Sequence, residues 1–415
     1  MYQLLIRLLS PVILFALIKD AIKRQGGVIF IKQRLGFGYT NQTNSQSDSP
    51  IKIIWIHCAS VGEVNAALPL IKSLKQRPFR FIITTNTPTG AQFCQQHLSD
   101  IQHVYCPVDW PYAIHRFIKT YRPNHVWVVE TEIWPNLYQI CADSQIEINL
   151  INARLSHKTL NAPRWLKHAY KQALSNVSQV LAKSSTDAKR YIELGADENK
   201  VTPVGNLKYA QPVNRALQAI VHQPYILLAS SHENEEQQIA ETWQTIKDDL
   251  NRKELLVIVP RHPKRMIDIR KQLSSMDINI AIHSLKQTPN TQTDVFIFDQ
   301  IGQLNALYLH AQIVIMGGSF IPRGGHNLIE PSAYGKAIIT GPHMDNFEDE
   351  THTLLSHGAL IQCADVSQIY ASLSTLLNDP EASKTLGLNA QDVIKQHQSI
   401  LADYLQKLLP ASVEP

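Results

Sequence analysis

Several short stretches of this sequence hold polar side chains spaced as a reactive site would need them. In HCASVGE (57–63) an apolar run ends in a serine–glycine turn, and Glu63 falls in the first turn of the helix that follows. A carboxylate there can act as a general base. It can equally cap its own helix, since Ser60-Val-Gly-Glu63 matches the S-x-x-E capping box. In ETEIWPNL (130–137) two carboxylates one residue apart leave a strand ahead of Trp-Pro. Strand alternation would point Glu130 and Glu132 the same way, one to polarise a bound group and one to hold a loop, or Glu132 could satisfy the dipole of the following helix. Lys208 in VGNLKYA (204–210) offers a cation for an anionic substrate, or is a plain surface lysine.

Later stretches carry a different set of groups. ASSHENEE (229–236) puts Ser230, Ser231 and His232 on a strand-to-helix turn whose backbone N–H groups could hold a phosphate, or could simply cap the helix. IVPRHPKR (258–265) fixes Arg261 at a strand exit between two prolines, where a planar cation suits a phosphate or a base edge, or is simply an exposed arginine. MGGSFIPRGGHNLIEPSAYGK (316–336) joins Gly317, Gly318 and Ser319 to a second loop, Arg323 to His326. Asn327 then starts a helix with Glu330 in its first turn. The glycines would let backbone approach a ligand, and Glu330 could accept two hydrogen bonds from a ribose. Together these residues describe a nucleotide site. No G-x-G-x-x-G follows a strand, which argues against a nicotinamide dehydrogenase. A metal site at Glu130 and Glu132 is a weak alternative, since no D-x-D and no His at ligand spacing lies nearby.

The elements that must carry these groups alternate β-rich runs with helical stretches of crossover length. Strands are expected within 51–60, 79–86, 101–108, 125–130, 147–153 and 179–184, and again within 225–231, 254–261, 278–284, 294–299, 313–319 and 336–342. The runs are almost continuously apolar, as strands covered on both faces are. This predicts an α/β protein of two doubly wound, Rossmann-like domains facing a cleft, with ligands at the carboxyl ends of the strands. The expected division is 50–210, a linker at 211–224, 225–395, and a C-terminal helical segment at 396–415. The polar stretch at 40–50 reads as a loop.

The 415 residues suit two domains, and 44% hydrophobic with 18% charged residues is globular composition. A net charge of +4, from 39 Lys+Arg against 35 Asp+Glu, does not favour a nucleic-acid partner. Five scattered cysteines without a CxxC read as reduced and buried. Residues 1–24 open with an apolar run followed by Lys19, Lys23, Arg24, Lys32 and Arg34. The expectation is a membrane-anchor helix with the basic side in the cytoplasm, favoured over the plainer reading as a buried amphipathic helix.

The motifs HCASVGE, ETEIWPNL, INARLS, GNLKY, SSHENEE, VPRHPKR, MGGSFIPRGGHNLIEP and TGPHMDNF occur in one order over about residues 50–350. In this the chain resembles the 3-deoxy-D-manno-octulosonic acid (Kdo) transferases, membrane-anchored glycosyltransferases of lipopolysaccharide inner-core synthesis. The resemblance implies the GT-B fold, CMP-Kdo as donor and a lipid A precursor (lipid IVA) as acceptor. It also implies a metal-independent, cofactor-free inverting reaction at the cytoplasmic face of the inner membrane. It makes Glu63 the general base and assigns Glu130 and Lys208 to transition-state stabilisation. Pro260, Arg261, Ile301, Gly302, Gln303, Asn327, Leu328, Ile329 and Glu330 become donor-binding residues. Ser231, His232, Gly317, Gly318, Ser319, Arg323 and His326 become further cleft residues. The chain departs from the family pattern at Gln303, where an acidic residue is usual, at Asn234, where glycine is usual, and in N-L-I-E for N-P-L-E. Two other classes fit two Rossmann-like domains: a sugar-nucleotide epimerase and a non-catalytic nucleotide sensor.

Overall fold

The computed structural model describes residues 2–40 and 52–409, so all of the expected polar loop except Thr40 lies outside the described residues. The chain forms two compact units, Met1–Gln211 with Ser399–Pro415, and Pro212–Gln398. In the first, strands β1 (Lys52–His57), β2 (Phe79–Thr85), β3 (Gln102–Tyr105), β4 (His125–Val129), β5 (Glu147–Ala153), β6 (Gln179–Ala182) and β7 (Val201–Pro203) form one sheet. Its order is β3-β2-β1-β4-β5-β6-β7. In the second, β8 (Tyr225–Ser231), β9 (Leu255–Pro260), β10 (Ile280–Ile282), β11 (Val295–Ile297), β12 (Ile313–Met316), β13 (Ala337–Thr340) and β14 (Ile361–Gln362) form another. Its order is β10-β11-β9-β8-β12-β13-β14. All neighbours in both sheets are parallel.

The continuous apolar runs have the expected cause. Strand β9 is buried along its whole length, and β1 over its last four residues. In the second unit the two faces of the sheet feed separate cores, one around Leu227, Val257 and Val314, the other around Ile226, Ile258 and Ile315. Alternate residues of one strand thus reach opposite cores. Every strand expected from the sequence is present. The edge strands β7 and β14 are additional, at three and two residues. The helix Ile400–Leu408 belongs with the first unit, where buried Tyr404 donates from its hydroxyl to Gly205 O (2.9 Å) and accepts from Asn152 N (3.1 Å).

The expected membrane-anchor helix is not found. Residues 2–34 form three short helices, Tyr2–Leu8, Ser10–Lys23 and Gly27–Arg34. No helix of the described residues is long and apolar enough to cross a membrane. The apolar run is real, but it is divided between helices and part of it is used internally. Ile6, Leu17, Ala21 and Phe30 are buried against Val108, Trp110 and Ala113 of the first unit. Tyr2 donates its hydroxyl to Asp109 Oδ2 at 2.6 Å, and Gln3 bonds to Asn136. The other face leaves Leu4, Leu8, Val12, Phe15 and Ile22 more than 60% exposed.

Candidate active site

Strand order reverses between β1 and β4 in the first sheet and between β8 and β12 in the second. Parallel sheets bind ligands outside the carboxyl ends of their strands at such a reversal. Each of the two reversals holds a cluster of polar side chains drawn from the stretches singled out in the sequence.

In the first unit, β1 runs out through His57 into the helix Val61–Leu74, which carries Glu63. Glu63 is buried, 8% exposed. Its Oε2 accepts from Ala59 N at 2.5 Å and its Oε1 from Ser60 Oγ at 3.3 Å. This is not the reciprocal capping box, because Ser60 makes no side-chain bond to the helix backbone. Burial, followed by the charges of Glu130 and Glu132, pushes the Glu63 carboxyl up to about 8.

Glu130 follows β4 in the left-handed region (φ 63). A non-glycine residue there costs of order 1–2 kcal/mol and is held only by its surroundings. The Glu130 N–H donates to Ile151 O (3.0 Å) and its carbonyl accepts from Tyr191 (3.2 Å). Its carboxylate pairs with Lys208 Nζ at 3.2 Å, and Asn152 Nδ2 lies 3.5 Å away. Lys208 is therefore not a plain surface lysine. Asn152 is also left-handed (φ 51), at a bulge in β5, and its Oδ1 accepts from Leu207 N (3.0 Å), which fixes the turn carrying Lys208. Sequence reasoning gave Asn152 no role. The readable signal is that asparagine tolerates the left-handed region. Glu132 does the work of holding a loop, accepting from Trp134 Nε1 (2.7 Å) on its carboxylate and from the Tyr138 hydroxyl (2.6 Å) on its carbonyl.

In the second unit, β8 carries its own left-handed residue, Ser230 (φ 58), at a bulge against β9. His232 and His326 stack with their Nε2 atoms 2.9 Å apart, so one ring donates to the other. His326 is pushed down to about 4 by burial and by the neighbouring His232, Arg261 and His262. His232 is lowered by burial, then by Arg323, His262, Arg265 and Arg261. Arg261 and Arg323 are exposed. Asn327 Oδ1 accepts from Ile329 N and its Nδ2 donates to Glu330 Oε1, both at 3.1 Å, just ahead of the helix Ile329–Ala333, whose cap position is Leu328 rather than the expected Asn327. Ile301, Gly302 and Gln303 are exposed, and a shallow cavity lined by Pro263, His283, Ser284, Asp299, Gln300 and Ile301 adjoins them.

Some expected ligand contacts are instead committed to the protein. Ser231 and Ser319 are fully buried. Ser231 Oγ donates to Glu236 Oε1 (2.9 Å), while Ser319 Oγ donates to Met316 O (2.5 Å) and accepts from Gly341 N (2.8 Å). Gly317 allows close backbone packing, since a Cβ there would lie 2.6 Å from Ser230 O. Gly318 (φ 67) makes room for the histidine pair, since its Cβ would meet His326 Nε2 at 3.1 Å. Their backbone is held by Glu235, whose carboxylate accepts from Gly318 N (2.7 Å), Phe320 N (3.1 Å) and His232 N (2.9 Å). Leu328 and Ile329 have buried side chains, leaving only backbone to face a ligand. Among the described residues, no group of three or more His, Cys, Asp or Glu side chains is placed to hold a metal ion.

Residues 30–211 match the family model described as 3-Deoxy-D-manno-octulosonic-acid transferase (kdotransferase). The 3-deoxy-D-manno-octulosonic acid transferase of Haemophilus influenzae is 32% identical over 91% of both chains. This chain belongs to the Kdo transferase family. The Kdo transferase of Bordetella pertussis is 30% identical, again over 91% of each chain. The family is one of glycosyltransferases, so this Kdo transferase relative is an enzyme. Among solved structures, a glycosyltransferase from Rickettsia africae superposes with a TM-score of 0.60 at 17% identity, covering 86% of this chain and 97% of its own. A UDP-GlcNAc 2-epimerase from Neisseria meningitidis gives 0.59 at 15%, covering 86% of this chain and all of its own. At such identities the likeness concerns the fold, which is GT-B-like.

Proposed function

We propose that this enzyme transfers Kdo from CMP-Kdo to a hydroxyl of a lipid A precursor, lipid IVA, in lipopolysaccharide synthesis, with inversion and with Glu63 as general base. The observation that carries the reading is the buried Glu63 carboxyl, pushed up to about 8 beside the Glu130–Lys208 pair at the strand reversal. A base works best when its pKa lies near the working pH, and burial has moved this carboxylate there. Glu63 takes the acceptor hydroxyl proton as the oxygen attacks the anomeric carbon. The bond from that carbon to the CMP phosphate breaks, and its electron pair leaves with CMP. The anomeric carbon gains oxocarbenium character between the two events. Glu130 and Lys208 stabilise the developing charges.

The donor belongs to the second unit. Pro260, Arg261, Ile301, Gly302, Gln303 and the backbone from Asn327 to Glu330 would hold CMP, with His232, His326 and Arg323 beside its anionic groups. Guanidinium and imidazole groups can meet the leaving phosphate without a metal ion. The N-terminal helices would lie in the interface of the inner membrane on its cytoplasmic side. Supporting that reading, Leu4, Leu8, Val12, Phe15 and Ile22 are exposed in a segment that also carries Arg7, Lys19, Lys23 and Arg24.

Mass spectrometry of lipid IVA incubated with the detergent-purified protein, CMP-Kdo and a chelator tests this directly. Mass increments of Kdo are expected, and their number counts the transfers. Unchanged lipid, with folded protein and intact donor, would overturn the assignment.

A further inference from the structure

Arg34 had no role in the sequence beyond the basic flank of the N-terminal segment. In the structure it closes the helix Gly27–Arg34 and turns inward. Its Nη1 donates to Asn86 Oδ1 (2.5 Å) and to Cys106 O (2.7 Å), spanning the loops that follow β2 and β3. Its carbonyl accepts from Val108 N at 2.8 Å. Its Nε is shut off from solvent and has no partner among the described residues. Burial pulls the guanidinium pKa down, so this cation is held at a cost. The nearby carboxylate whose acidity it favours, Glu132, bonds to Trp134 instead.

The bonds continue past Asn86. The Asn86 N–H donates to Ala59 O at 3.1 Å, and the Ala59 N–H donates to Glu63 Oε2 at 2.5 Å. A single chain of contacts therefore runs from the N-terminal helix, through Asn86 and residue 59, to the carboxylate proposed as base.

We propose that Arg34 is a positioning residue for Glu63, acting through Asn86 and the Ala59 peptide, so that the N-terminal helical segment is part of the catalytic machinery. This rests on the reading of Glu63 as base. The bond from Ala59 favours the ionised carboxylate, against burial and the charges of Glu130 and Glu132, with the buried Cys58 thiol alongside. Loosening Asn86 loosens that peptide. The carboxylate then shifts from its place and becomes harder to ionise.

The test uses the full chain in detergent, with R34M, R34K, N86A and the double variant R34M/N86A. Kdo transfer is followed as kcat and KM across pH, and CMP affinity is measured by calorimetry. R34M and N86A should each lower kcat by about 10- to 100-fold, the scale of a small misplacement of a reacting group. CMP affinity should hold, and the alkaline-rising limb of the rate should move to higher pH. The double variant should be no worse than the poorer single one, because both cut the same chain. R34K should recover most of the activity, since both side-chain bonds leave from one nitrogen. N86A replaces a surface-proximal side chain and keeps the test usable if R34M does not fold. Additive losses, or an unmoved limb with kcat per folded molecule unchanged, would overturn the proposal. E63Q separates the two readings. An inactive E63Q with normal R34M and N86A removes only Arg34, whereas an active E63Q removes the base and this inference with it.

Discussion

The two units build the same object from opposite charge. Each is a seven-stranded parallel sheet with an order reversal at its centre, β1/β4 or β8/β12, and each carries a bulge at a left-handed non-glycine residue, Asn152 in β5 and Ser230 in β8. In the first unit the strand ends gather Glu63, Glu130 and Glu132, with Lys208 paired to Glu130. In the second they gather His232, His262, His326, Arg261 and Arg323. Burial therefore raises the key acid in one unit and lowers the key bases in the other. The fold supplies a place, and the residues after β1, β4, β8 and β12 decide whether it takes up a proton or an anion.

The hardest blow to the carboxylate site is its own base. E63Q keeps the size and the bond from Ala59, so the fold and CMP binding should persist while kcat falls by roughly 10²–10⁴-fold, the span of general-base catalysis. Comparable turnover in E63Q would return Glu63 to a structural role at the start of its helix. Next comes the Glu130–Lys208 pair. K208M leaves a carboxylate without its cation, at 14% exposure. It should cost about 10²-fold in kcat, with a loss of melting temperature. The double variant K208M/E130Q should regain the stability and not the activity. If it regains both, the pair is structural.

The opposed charges also predict opposed pH dependence. Glu63 rises from 4.5 to about 8 on folding, so the folded state holds the proton more tightly and stability falls as pH climbs through that window. E63Q should therefore gain on the wild type as pH rises from about 5 to 9, by roughly 2–4 °C for each kcal/mol relieved. His326 falls from 6.5 to about 4, so the unfolded chain holds the proton more tightly and stability is lost as pH drops through that window. H326N should relieve that loss at pH 5 and change little at pH 8. CMP should protect the wild type more at pH 5.5 than at pH 8, because an anion beside the pair favours its protonated form. Parallel pH responses of E63Q and H326N, followed by thermal melts, would remove the contrast between the units.

The strands were legible because burial on both faces writes a continuous apolar run, and the site stretches because they lie at the ends of those runs. Edge strands of two or three residues, β7 and β14, leave no such run. The N-terminal segment misled for a related reason. Hydropathy registers Leu4, Leu8 and Phe15 alike with Ile6 and Leu17, while the structure exposes the first three and buries the last two. Arg34 was unreadable because nothing local distinguishes an inward arginine from Lys32 two residues earlier. Its partners, Asn86 and Cys106, are 52 and 72 residues away. Ser231 and Ser319 show the converse: serines in glycine-rich turns suggest a ligand, while here the Glu236 carboxylate takes one hydroxyl and the Met316 carbonyl the other.

Gln303 gives the finest test of the anion site. It stands where the resemblance drawn from the sequence implies an acidic residue, exposed, just before the helix Leu304–His310, and its side chain caps nothing. A carboxylate at a helix start gains about 0.3–1 kcal/mol from the dipole. A carboxylate beside a bound CMP would instead repel its phosphate unless it faced the sugar. Q303E therefore separates two geometries. If position 303 faces ribose hydroxyls, the added acceptor should lower the donor KM by about 5-fold, the scale of one net hydrogen bond. If it faces phosphate, KM should rise and the rise should shrink in high salt. An unchanged KM with a slightly higher melting temperature would mean that only the backbone of Ile301 and Gly302 meets the donor, which is what the uncapped, outward Gln303 favours. Glycine at 302 (φ 88) already permits that approach with no side chain to interfere.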